Sequence, residues 1–354
     1  MSTAPKPPQS ASAAQSEPLA PPRPDQLLMQ LATGYMASAA LHIAASHGLA
    51  DLLAKGPKPV AELARAANLN EDALYRVLRA LASAGVFEER APRVFANTLT
   101  SDLLRRDAGP LRAMVEWMGD PVHMKAYAHF PHSVATGETL CQPAWGMNCW
   151  DYFGTDPRFA RIFDDAMTGF SAVVIPAVLE TYDFGGIGTL VDVAGGHGFV
   201  LTAILEKYPA MRGVLFDMER VTAGARERIA KLPAAISSRV RVESGDFFQQ
   251  VPQGDAIVMK HIIHDWNDPE ARAILQNCHR ALPAGGRLML IESVLVPGND
   301  PDLGKWIDLE MLALPGGRER TEEEFRALFA GAGFRLTRVV RNASPLAVVE
   351  AVKQ

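Results

Sequence analysis

The residues with the clearest chemical potential form a glycine-dense turn directly after an apolar segment. The sequence runs Thr189-Leu-Val-Asp-Val-Ala-Gly-Gly-His-Gly198, and Asp192 still lies within the apolar segment. Glycines let the backbone approach a ligand closely, and a helix that follows such a turn presents free N–H groups and the positive end of its dipole. We therefore expect Gly195, Gly196 and Gly198 to hold a nucleoside cofactor, with a ligand-free strand-to-helix turn as the alternative.

The spacing of these glycines argues against a dinucleotide cofactor. A dinucleotide-binding turn has glycine at the first, third and sixth positions of GxGxxG, and the sixth position counted from Gly196 is Leu201. As acid-x-small-x-Gly-x-Gly, from Asp192 to Gly198, the segment resembles motif I of the S-adenosylmethionine-dependent methyltransferases. This resemblance implies S-adenosylmethionine, and not NAD, as the cofactor.

Further polar groups follow three other predicted strands. Asp217 ends the strand 213–217, where a carboxylate can accept hydrogen bonds from both ribose hydroxyls. Gly245-Asp246-Phe247-Phe248 follows the strand 240–243 and offers a carboxylate for an adenine amino group and an aromatic face for its ring. Lys260 ends the strand 256–260 and can neutralise the methionine carboxylate. Each residue could instead be an ordinary turn acid, core phenylalanine or solvated lysine. Ligands of parallel sheets, however, bind beyond the carboxyl ends of the strands, which favours a role in cofactor binding.

The elements that must position these groups alternate between strands and helices after Gly188. The predicted strands are 189–193, 213–217, 240–243, 256–260, 287–292, 334–340 and 347–352, with helices from Phe199, over 269–282 and over 322–331. This alternation predicts an α/β fold, a Rossmann-like parallel sheet with helices on both faces, and the two last strands predict a terminal antiparallel hairpin.

The N-terminal part predicts a winged-helix pattern. Helices over 60–67 and 71–81 flank the turn 68–70, and a small hairpin follows near Val94. Apolar residues at helical spacing over 26–48 predict a buried hairpin or an interface helix. A DNA-binding regulator is the alternative function for this pattern. Residues 51–95, however, contain seven basic and six acidic side chains, and the second helix begins with Glu71-Asp72, where a DNA reader would carry groups attractive to phosphate.

Composition restricts the class of protein further. The 354 residues, 48% hydrophobic and 21% charged, suffice for two soluble domains, and a net charge of −5 argues against nucleic acid as a partner. Three cysteines without a CxxC pair predict buried thiols in a reducing compartment, hence the cytoplasm, and no structural metal site. The sequence has no uninterrupted apolar run of about 18 residues for a membrane span. Residues 1–24, rich in Pro, Ala and Ser, predict a disordered tail.

Three motifs together give a specific resemblance. His264-Asp-Trp-Asn-Asp268 follows the fourth predicted strand, an acid ends Ile291-Glu292, and Pro315-Gly-Gly-Arg-Glu-Arg-Thr321 precedes a helix. These motifs resemble those of the homodimeric small-molecule O-methyltransferases, which include caffeic acid, flavonoid and acetylserotonin enzymes and bacterial polyketide-tailoring enzymes. The resemblance begins near Leu27 and implies that the winged-helix part, treated as all-helical, is a dimerisation domain that does not bind DNA.

The resemblance also implies the catalytic residues. His264 is the expected general base, and Glu292 and Glu319 are the acids that orient it and shape the substrate site. A phenol has a pKa near 10, so a base must take its proton at neutral pH, and histidine titrates closest to that range. A neighbouring carboxylate holds the correct tautomer and stabilises the imidazolium. No metal is expected at this site.

The acceptor pocket is expected around the helical segment 111–183, which is rich in methionine and aromatic residues. The predicted substrate-binding residues are Phe163, Met167, Asp308 and Met311. Most large side chains of this segment must be ordinary core, although the same residue types suit a planar apolar ligand.

Two departures from the family pattern refine the expectation. Ala194 replaces the commoner first glycine of the turn, and Leu312-Ala-Leu-Pro315 is one residue shorter than the plant loop and lacks its asparagine. The shorter loop favours the bacterial members.

We predict four segments: a tail (1–24), a dimerisation domain (25–110), a substrate-pocket linker (111–183) and a cofactor-binding domain (184–354). The predicted function is methylation of a hydroxyl on an aromatic or polyketide-like molecule, with hydroxylation or decarboxylation as the alternative within this fold.

Overall fold

The computed structural model describes residues 23–107 and 109–354, which divide into two compact units after Ala37. The predicted tail falls almost entirely outside the described residues. The first unit contains helix α1 (Pro24–Ala32) and the first residues of helix α2 (Gly34–Ser46). Proline is favoured in the first turn of a helix because its missing N–H would have no partner there, which fits the start of α1 at Pro24.

The winged-helix pattern is confirmed at the start of the second unit. The elements in this part are α3 (Leu49–Leu52), β1 (Lys58–Pro59), α4 (Val60–Ala67), α5 (Glu71–Ser83), β2 (Phe87–Ala91), β3 (Val94–Asn97) and α6 (Leu99–Asp102). Asn68 ends α4 in the left-handed region at φ 54°, and the Asn70 side chain caps α5 by accepting the N–H of Ala73 at 3.0 Å. The description of this domain as all-helical is wrong, because β1, β3 and β2 form an antiparallel sheet that buries Phe87 and Phe95.

The segment 111–183 is helical, as predicted. Its helices are α7 (Arg112–Gly119), α8 (Pro121–Tyr127), α9 (Phe130–Thr136), α10 (Cys141–Trp145), α11 (Cys149–Thr155) and α12 (Pro157–Thr181). By length and composition α12 could cross a membrane, and the bent pair α1 and α2 would be a second candidate. In this structure α12 buries Phe159, Ala166 and Val174 within the core.

A seven-stranded sheet forms the second half of the chain in the order β11-β12-β8-β7-β4-β5-β6. Its strands are β4 (Thr189–Val193), β5 (Arg212–Asp217), β6 (Val240–Ser244), β7 (Ala256–Lys260), β8 (Arg287–Glu292), β11 (Phe334–Val340) and β12 (Ala347–Lys353). Strands β4 to β8 pair in parallel, and β12 pairs antiparallel with both β8 and β11, which confirms the terminal hairpin.

Helices cover both faces of this sheet. They are α13 (Phe199–Lys207), α14 (Glu219–Ala230), α15 (Ala234–Ser237), α16 (Asp268–Ala281) and α18 (Glu322–Ala330). Helix α17 (Leu303–Ala313) instead contacts α9 and the segment after β8, and a 3₁₀ turn spans Ile263–Asp265. Alternate residues of the central strands enter different cores: Val191 and Ile257 belong to one cluster, Leu190 and Val258 to the other. Burial on both faces explains why these strands are apolar throughout.

Two short strands that the sequence did not predict shape the site. The strands β9 (Val294–Leu295) and β10 (Arg320–Thr321) pair in parallel, with Val294 opposite Arg320. Because Glu292 precedes β9 by two residues and Glu319 immediately precedes β10, this pairing brings the two acids together at the carboxyl end of β8.

Candidate active site

The glycine-dense turn has the backbone geometry that its sequence predicts. Gly196 and Gly198 have φ values of 57° and 78°, which favour glycine. A Cβ on Gly195 would lie 2.4 Å from Cδ1 of Leu215 and 2.6 Å from Cγ of Asp192, so only glycine fits there. Ala194 also has a positive φ, 54°, although it is not glycine. Its N–H donates to the carbonyl of Phe216 at 2.7 Å, which holds this unfavourable backbone in place.

Asp217 is joined directly to this turn. Its Oδ2 accepts the N–H of Gly196 at 2.8 Å, and its Oδ1 accepts the N–H of Met218 at 2.7 Å. Burial raises the pKa of Asp217, and the two amides lower it. Each carboxylate oxygen has a second lone pair, so both oxygens can still accept a hydroxyl. The oriented carboxylate therefore suits the two hydroxyls of a ribose.

An open groove of about 420 Å³ continues from Asp217 along the sheet edge. Its lining residues are Met218, Glu219, Ser244, Gly245, Asp246 and Gln249. The N–H of Gly245 donates to the carbonyl of Asp217 at 3.0 Å, which links the two strand ends. Asp246 has one oxygen on the N–H of Phe248 at 2.8 Å, so this carboxylate also stabilises its own turn. The groove contains Gly245 and Asp246 of the predicted adenine residues beside Met218, which follows Asp217 and which sequence reasoning missed.

The two phenylalanines after Asp246 differ in position. Phe247 packs against the core beside the sheet, whereas Phe248 is 36% exposed. Both rings meet Trp266 edge to face, with centroid distances of 5.9 Å and 4.8 Å. Phe248 is thus the one of the pair with more ring surface available to a ligand.

Lys260 and Asp192 lie near the ends of the neighbouring strands β7 and β4 and interact electrostatically. Burial lowers the pKa of Lys260 to about 8, an effect opposed by Glu292 and Asp192. Burial raises the pKa of Asp192 to about 7. Oδ2 of Asp192 is buried and has no hydrogen-bond partner among the described residues. A cation and an unpartnered carboxylate oxygen match the carboxylate and ammonium groups of an amino acid, so these residues fit the methionine part of the predicted cofactor.

The predicted catalytic residues meet in one buried cluster. Nδ1 of His264 lies 2.7 Å from Oε1 of Glu319 and 3.8 Å from Oε2 of Glu292. His264, Glu319 and Glu292 have relative exposures of 5%, 3% and 0%. Oε1 of Glu292 accepts the N–H groups of Ile262 and Ile263 at 3.1 Å and 3.0 Å. Glu292 therefore holds the loop that carries His264, and Glu319 orients the ring.

Burial raises the pKa values of two acids in this cluster. Burial and then Asp308 raise the pKa of Glu319 to about 8, while Arg320 lowers it. Burial raises the pKa of Asp265 to about 7, while His264 lowers it. Oδ1 of Asp265 lies 3.5 Å from Nε2 of His264. Acids therefore lie near both ring nitrogens, and either can stabilise an imidazolium.

A second loop fixes the first one in position. Arg320, with 0% exposure, donates to the carbonyls of Ile263 and Trp266 at 3.0 Å and 2.8 Å and to Oδ1 of Asp268 at 2.8 Å. The N–H of Arg318 donates to the carbonyl of His264 at 2.8 Å. A Cβ on Gly317 would lie only 1.9 Å from that same carbonyl oxygen. The motif over 315–321 thus encloses the His264 loop, a function that the sequence analysis did not assign to Arg320 or Gly317.

The predicted substrate-binding residues have mixed environments. Phe163 packs on Trp117 and Phe153, at centroid distances of 5.1 Å and 4.8 Å. Met167 borders the same aromatic cluster, and Met311 is buried. Asp308 accepts the N–H of Glu319 at 2.7 Å, so it also positions that acid.

His261 is the second histidine of the cluster and was not among the predicted site residues. Its ring stacks on that of His264 at 4.4 Å with an interplanar angle of 28°. One ligand atom from each of His261, His264 and Glu319 lies within 4.8 Å of the others, a spacing that suits a metal ion. Lone pairs of imidazole lie in the ring plane, however, so two nearly parallel rings do not direct them to one point. The absence of a catalytic metal therefore stays our prediction.

A separate buried polar group joins α8 to α17. Nε2 of His123 is 3.1 Å from Oε1 of Glu310, and the Tyr127 hydroxyl donates to the other oxygen of Glu310. Burial lowers the pKa of His123, but Glu310 more than offsets it and the net shift is upward. Sequence reasoning missed this group because its three members lie on two helices far apart in the chain.

Comparison with known proteins gives concordant matches. Residues 127–335 match the model of the O-methyltransferase domain, and residues 29–107 match that of the O-methyltransferase dimerisation domain. A phenazine O-methyltransferase of Lysobacter antibioticus is 41% identical over 326 residues, which cover 92% of this chain and 95% of that protein.

Solved structures extend the similarity to three dimensions. The crystal structure of LaPhzM has a TM-score of 0.88 and 40% identity, covering 93% of this chain and 99% of that one. A methyltransferase of calicheamicin biosynthesis, solved in its SAH-bound form, has a TM-score of 0.82 and 35% identity, covering 93% and 98%.

Proposed function

Because this chain belongs to the O-methyltransferase family and uses S-adenosylmethionine as its methyl donor, we propose that His264 is the general base that activates a hydroxyl of an aromatic or polyketide-like acceptor. The observation that supports this role best is the buried contact of 2.7 Å between Nδ1 of His264 and Oε1 of Glu319. It lies at the same edge of the sheet as Asp217 and Lys260. A carboxylate on Nδ1 fixes the tautomer in which Nε2 is free to accept a proton.

The side chains of the site perform three tasks in this mechanism. S-adenosylmethionine, when bound, would supply an electrophilic methyl group, with S-adenosylhomocysteine as the leaving group when the sulfur–methyl bond breaks. Nε2 of His264 takes the proton of the acceptor hydroxyl, and ionised Glu319 stabilises the resulting imidazolium from 2.7 Å. Glu292 holds the loop through two backbone amides. The low exposure of all three side chains keeps water from competing with the acceptor.

The cofactor residues are assigned in the same way. We infer that Asp217 binds the ribose hydroxyls, that Gly245, Asp246 and Phe248 surround the adenine, and that Lys260 and Asp192 bind the methionine part. Gly195, Gly196 and Gly198 allow close approach of the turn. Phe247 supports Phe248 from the core, because the two rings are in edge contact at 5.0 Å.

We further propose that the enzyme is a cytoplasmic homodimer. The match of residues 29–107 to a dimerisation domain and six exposed apolar side chains over residues 27–36 support the dimer. The three cysteines are free and buried, which suits a reducing compartment. Within residues 51–95, ion pairs Lys58–Glu62 and Arg93–Glu71 neutralise part of the positive charge that nucleic acid would require.

Calorimetry and product analysis test the proposed function. We expect heat of binding from S-adenosylmethionine and from its demethylated product, and none from NAD. Gly195→Ala should weaken this binding by tenfold or more, because its Cβ would overlap Leu215 and Asp192. Incubation with labelled S-adenosylmethionine and a panel of phenolic aglycones should yield products heavier by one methyl group. Binding of NAD alone, or products that are hydroxylated or decarboxylated and not methylated, would contradict the proposal.

A further inference from the structure

His261 combines three properties that a merely structural histidine does not require. Its backbone has a φ of 53°, in the left-handed region that L-residues rarely adopt. Its side chain is buried, with 8% of the residue exposed, yet Nε2 has no hydrogen-bond partner in the described part of the chain. Backbone strain and an unpartnered buried polar atom each cost stability and concentrate at functional sites.

The surroundings of His261 fix where its ring points. The ring lies between Phe170, at a centroid distance of 5.3 Å, and His264, at 4.4 Å. Its own N–H in the backbone donates to the carbonyl of Ile291 at 3.1 Å, which anchors the strained residue to β8. Burial, His264 and Lys260 all lower the pKa of His261, so the ring is neutral at physiological pH. A neutral ring beside the base adds no charge repulsion when His264 takes a proton.

We propose that Nε2 of His261 binds a second oxygen of the acceptor, next to the hydroxyl that His264 deprotonates. The ring centroids of His261 and His264 are 4.4 Å apart, and one nitrogen of each ring lies within 4.8 Å of the other. Hydrogen bonds of about 2.8 Å from two such nitrogens can converge on two oxygens carried by adjacent ring atoms. The acceptor class is therefore an aromatic compound with vicinal oxygen substituents. This inference rests on the proposed function.

The stacking of the two rings also favours this role over metal binding. The parallel arrangement prevents the lone pairs of His261 and His264 from meeting at one ion, but it suits two parallel hydrogen bonds to one planar molecule. A neutral imidazole can either donate or accept at Nε2, so a hydroxyl or a carbonyl satisfies it. Contact with the methionine part of the cofactor is the competing role, because Lys260 precedes His261 in the chain.

Binding measurements with two probes test the inference. The probes are 1,2-dihydroxynaphthalene and 2-naphthol, which differ only in the second oxygen. Their Kd values are measured by calorimetry on the full chain saturated with S-adenosylhomocysteine, and KM and kcat are measured with S-adenosylmethionine. The unmodified protein should bind the dihydroxy probe about fivefold more tightly, the usual effect of one additional hydrogen bond.

Three variants distinguish the hydrogen bond made by Nε2 of His261 from the packing of its ring. His261→Phe keeps a stacking ring but removes Nε2, so the preference for the dihydroxy probe should disappear, through Kd and KM more than through kcat. His261→Asn tolerates the left-handed backbone and should keep part of the preference, which covers the case in which the phenylalanine variant does not fold. Phe170→Leu is the matched control, because it loosens the ring from the other side and should retain the preference.

Several outcomes would overturn the inference. Equal binding of both probes to the unmodified protein would show that the protein does not recognise the second oxygen. An equal loss for both probes in His261→Phe would make the ring structural. A loss of S-adenosylhomocysteine affinity alone would assign His261 to the cofactor. Failure of the proposed function is distinguishable, since it would appear as missing cofactor binding or methyl transfer in the unmodified protein.

Discussion

At the scale of single residues, the proposed mechanism depends on which atom holds the proton between His264 and Glu319. When Glu319 is ionised, Nδ1 of His264 donates to it and Nε2 is free to act as the base. When Glu319 is protonated, its O–H donates to Nδ1, and the neutral ring must carry its hydrogen on Nε2, which is the wrong tautomer. Because burial raises the pKa of Glu319 to about 8, this switch falls within a measurable range.

The pH dependence of turnover tests this assignment. A carboxylate with a raised pKa is protonated below that value, so kcat of the unmodified enzyme should rise as the pH passes through about 8. Glu319→Gln removes the titrating group but keeps an oxygen that can accept from Nδ1. We expect its kcat to fall by about 10- to 100-fold, less than on loss of the base itself, and the rise near pH 8 to disappear.

A control distinguishes the effect of Glu319 on the pH profile from that of the acceptor, whose hydroxyl also ionises as the pH rises. The same acceptor is used with both proteins, so its own ionisation contributes equally. An unchanged rise near pH 8 in Glu319→Gln would show that the acceptor, and not Glu319, controls the profile.

The sequence could predict which residues of the proposed catalytic site lie together, but not all of their partners. His264, Glu292 and Glu319 lie in recognisable motifs, and the structure brings them together. Asp308 was predicted to contact the substrate, yet it also accepts the N–H of Glu319. The strained backbone of His261 left no trace in the sequence, because a positive φ at a non-glycine residue results from its surroundings and not from its type.

At the scale of elements, two loops must keep a fixed relation for His264 to work. The loop over 261–268 and the motif over 315–321 are joined by Arg320, by the N–H of Arg318 and by the close approach of Gly317. The parallel pairing of β9 with β10 continues this connection. The contact at Gly317 is the tightest, so it offers the sharpest test of the arrangement.

Gly317→Ala should therefore damage catalysis more than cofactor binding. Its Cβ would lie 1.9 Å from the His264 carbonyl oxygen, so the loop must shift. We expect kcat to fall by about 100-fold, because small displacements of a positioned group cost this much. The affinity for S-adenosylhomocysteine, measured by calorimetry, should stay within about threefold, since the cofactor residues lie on other strand ends.

Gly154→Ala is the matched control for this substitution. Gly154 lies in α11 with nothing within 4 Å of its added Cβ, so alanine should be neutral or slightly stabilising there. Equal losses of kcat in both variants would contradict the importance of the contact at Gly317.

The regular elements followed from the sequence more completely than the irregular ones. Strands β4, β7, β8 and β11 begin and end at the predicted residues. Mostly apolar runs mark β4, β7 and β8 as buried strands, whereas in β11 apolar and polar residues alternate at its start. The strands β1, β9 and β10 were not predicted, since two-residue strands have no periodicity. Helix α17 was also missed, and it carries both Asp308 and Met311.

At the scale of the whole molecule, the apolar surface of the first helices implies a partner. Leu28, Met29 and Leu31 are 69%, 62% and 55% exposed, and Tyr35 and Met36 follow at 58% and 54%. A soluble monomer rarely leaves so many neighbouring apolar side chains in water. Light scattering should therefore report a mass of twice 38.3 kDa.

A polar version of this surface provides the control. Leu28→Glu together with Met29→Glu should shift the protein towards the monomer, because both side chains are more than half exposed and need not disturb the fold. A monomeric unmodified protein, or salt-sensitive binding to random duplex DNA, would instead favour the regulator hypothesis.

The boundaries of the four predicted segments stay predictions.

The most direct test of the central claim is the pH-rate profile of His264→Ala with a confirmed acceptor. If His264 is the general base, turnover at pH 7 should fall by about 10²- to 10⁴-fold, the usual effect of removing an acid or base group. Higher pH should partly restore it, because the phenolate then forms without a base, and cofactor affinity should barely change. Near-normal turnover of His264→Ala at pH 7 would show that the histidine is structural and would contradict the mechanism.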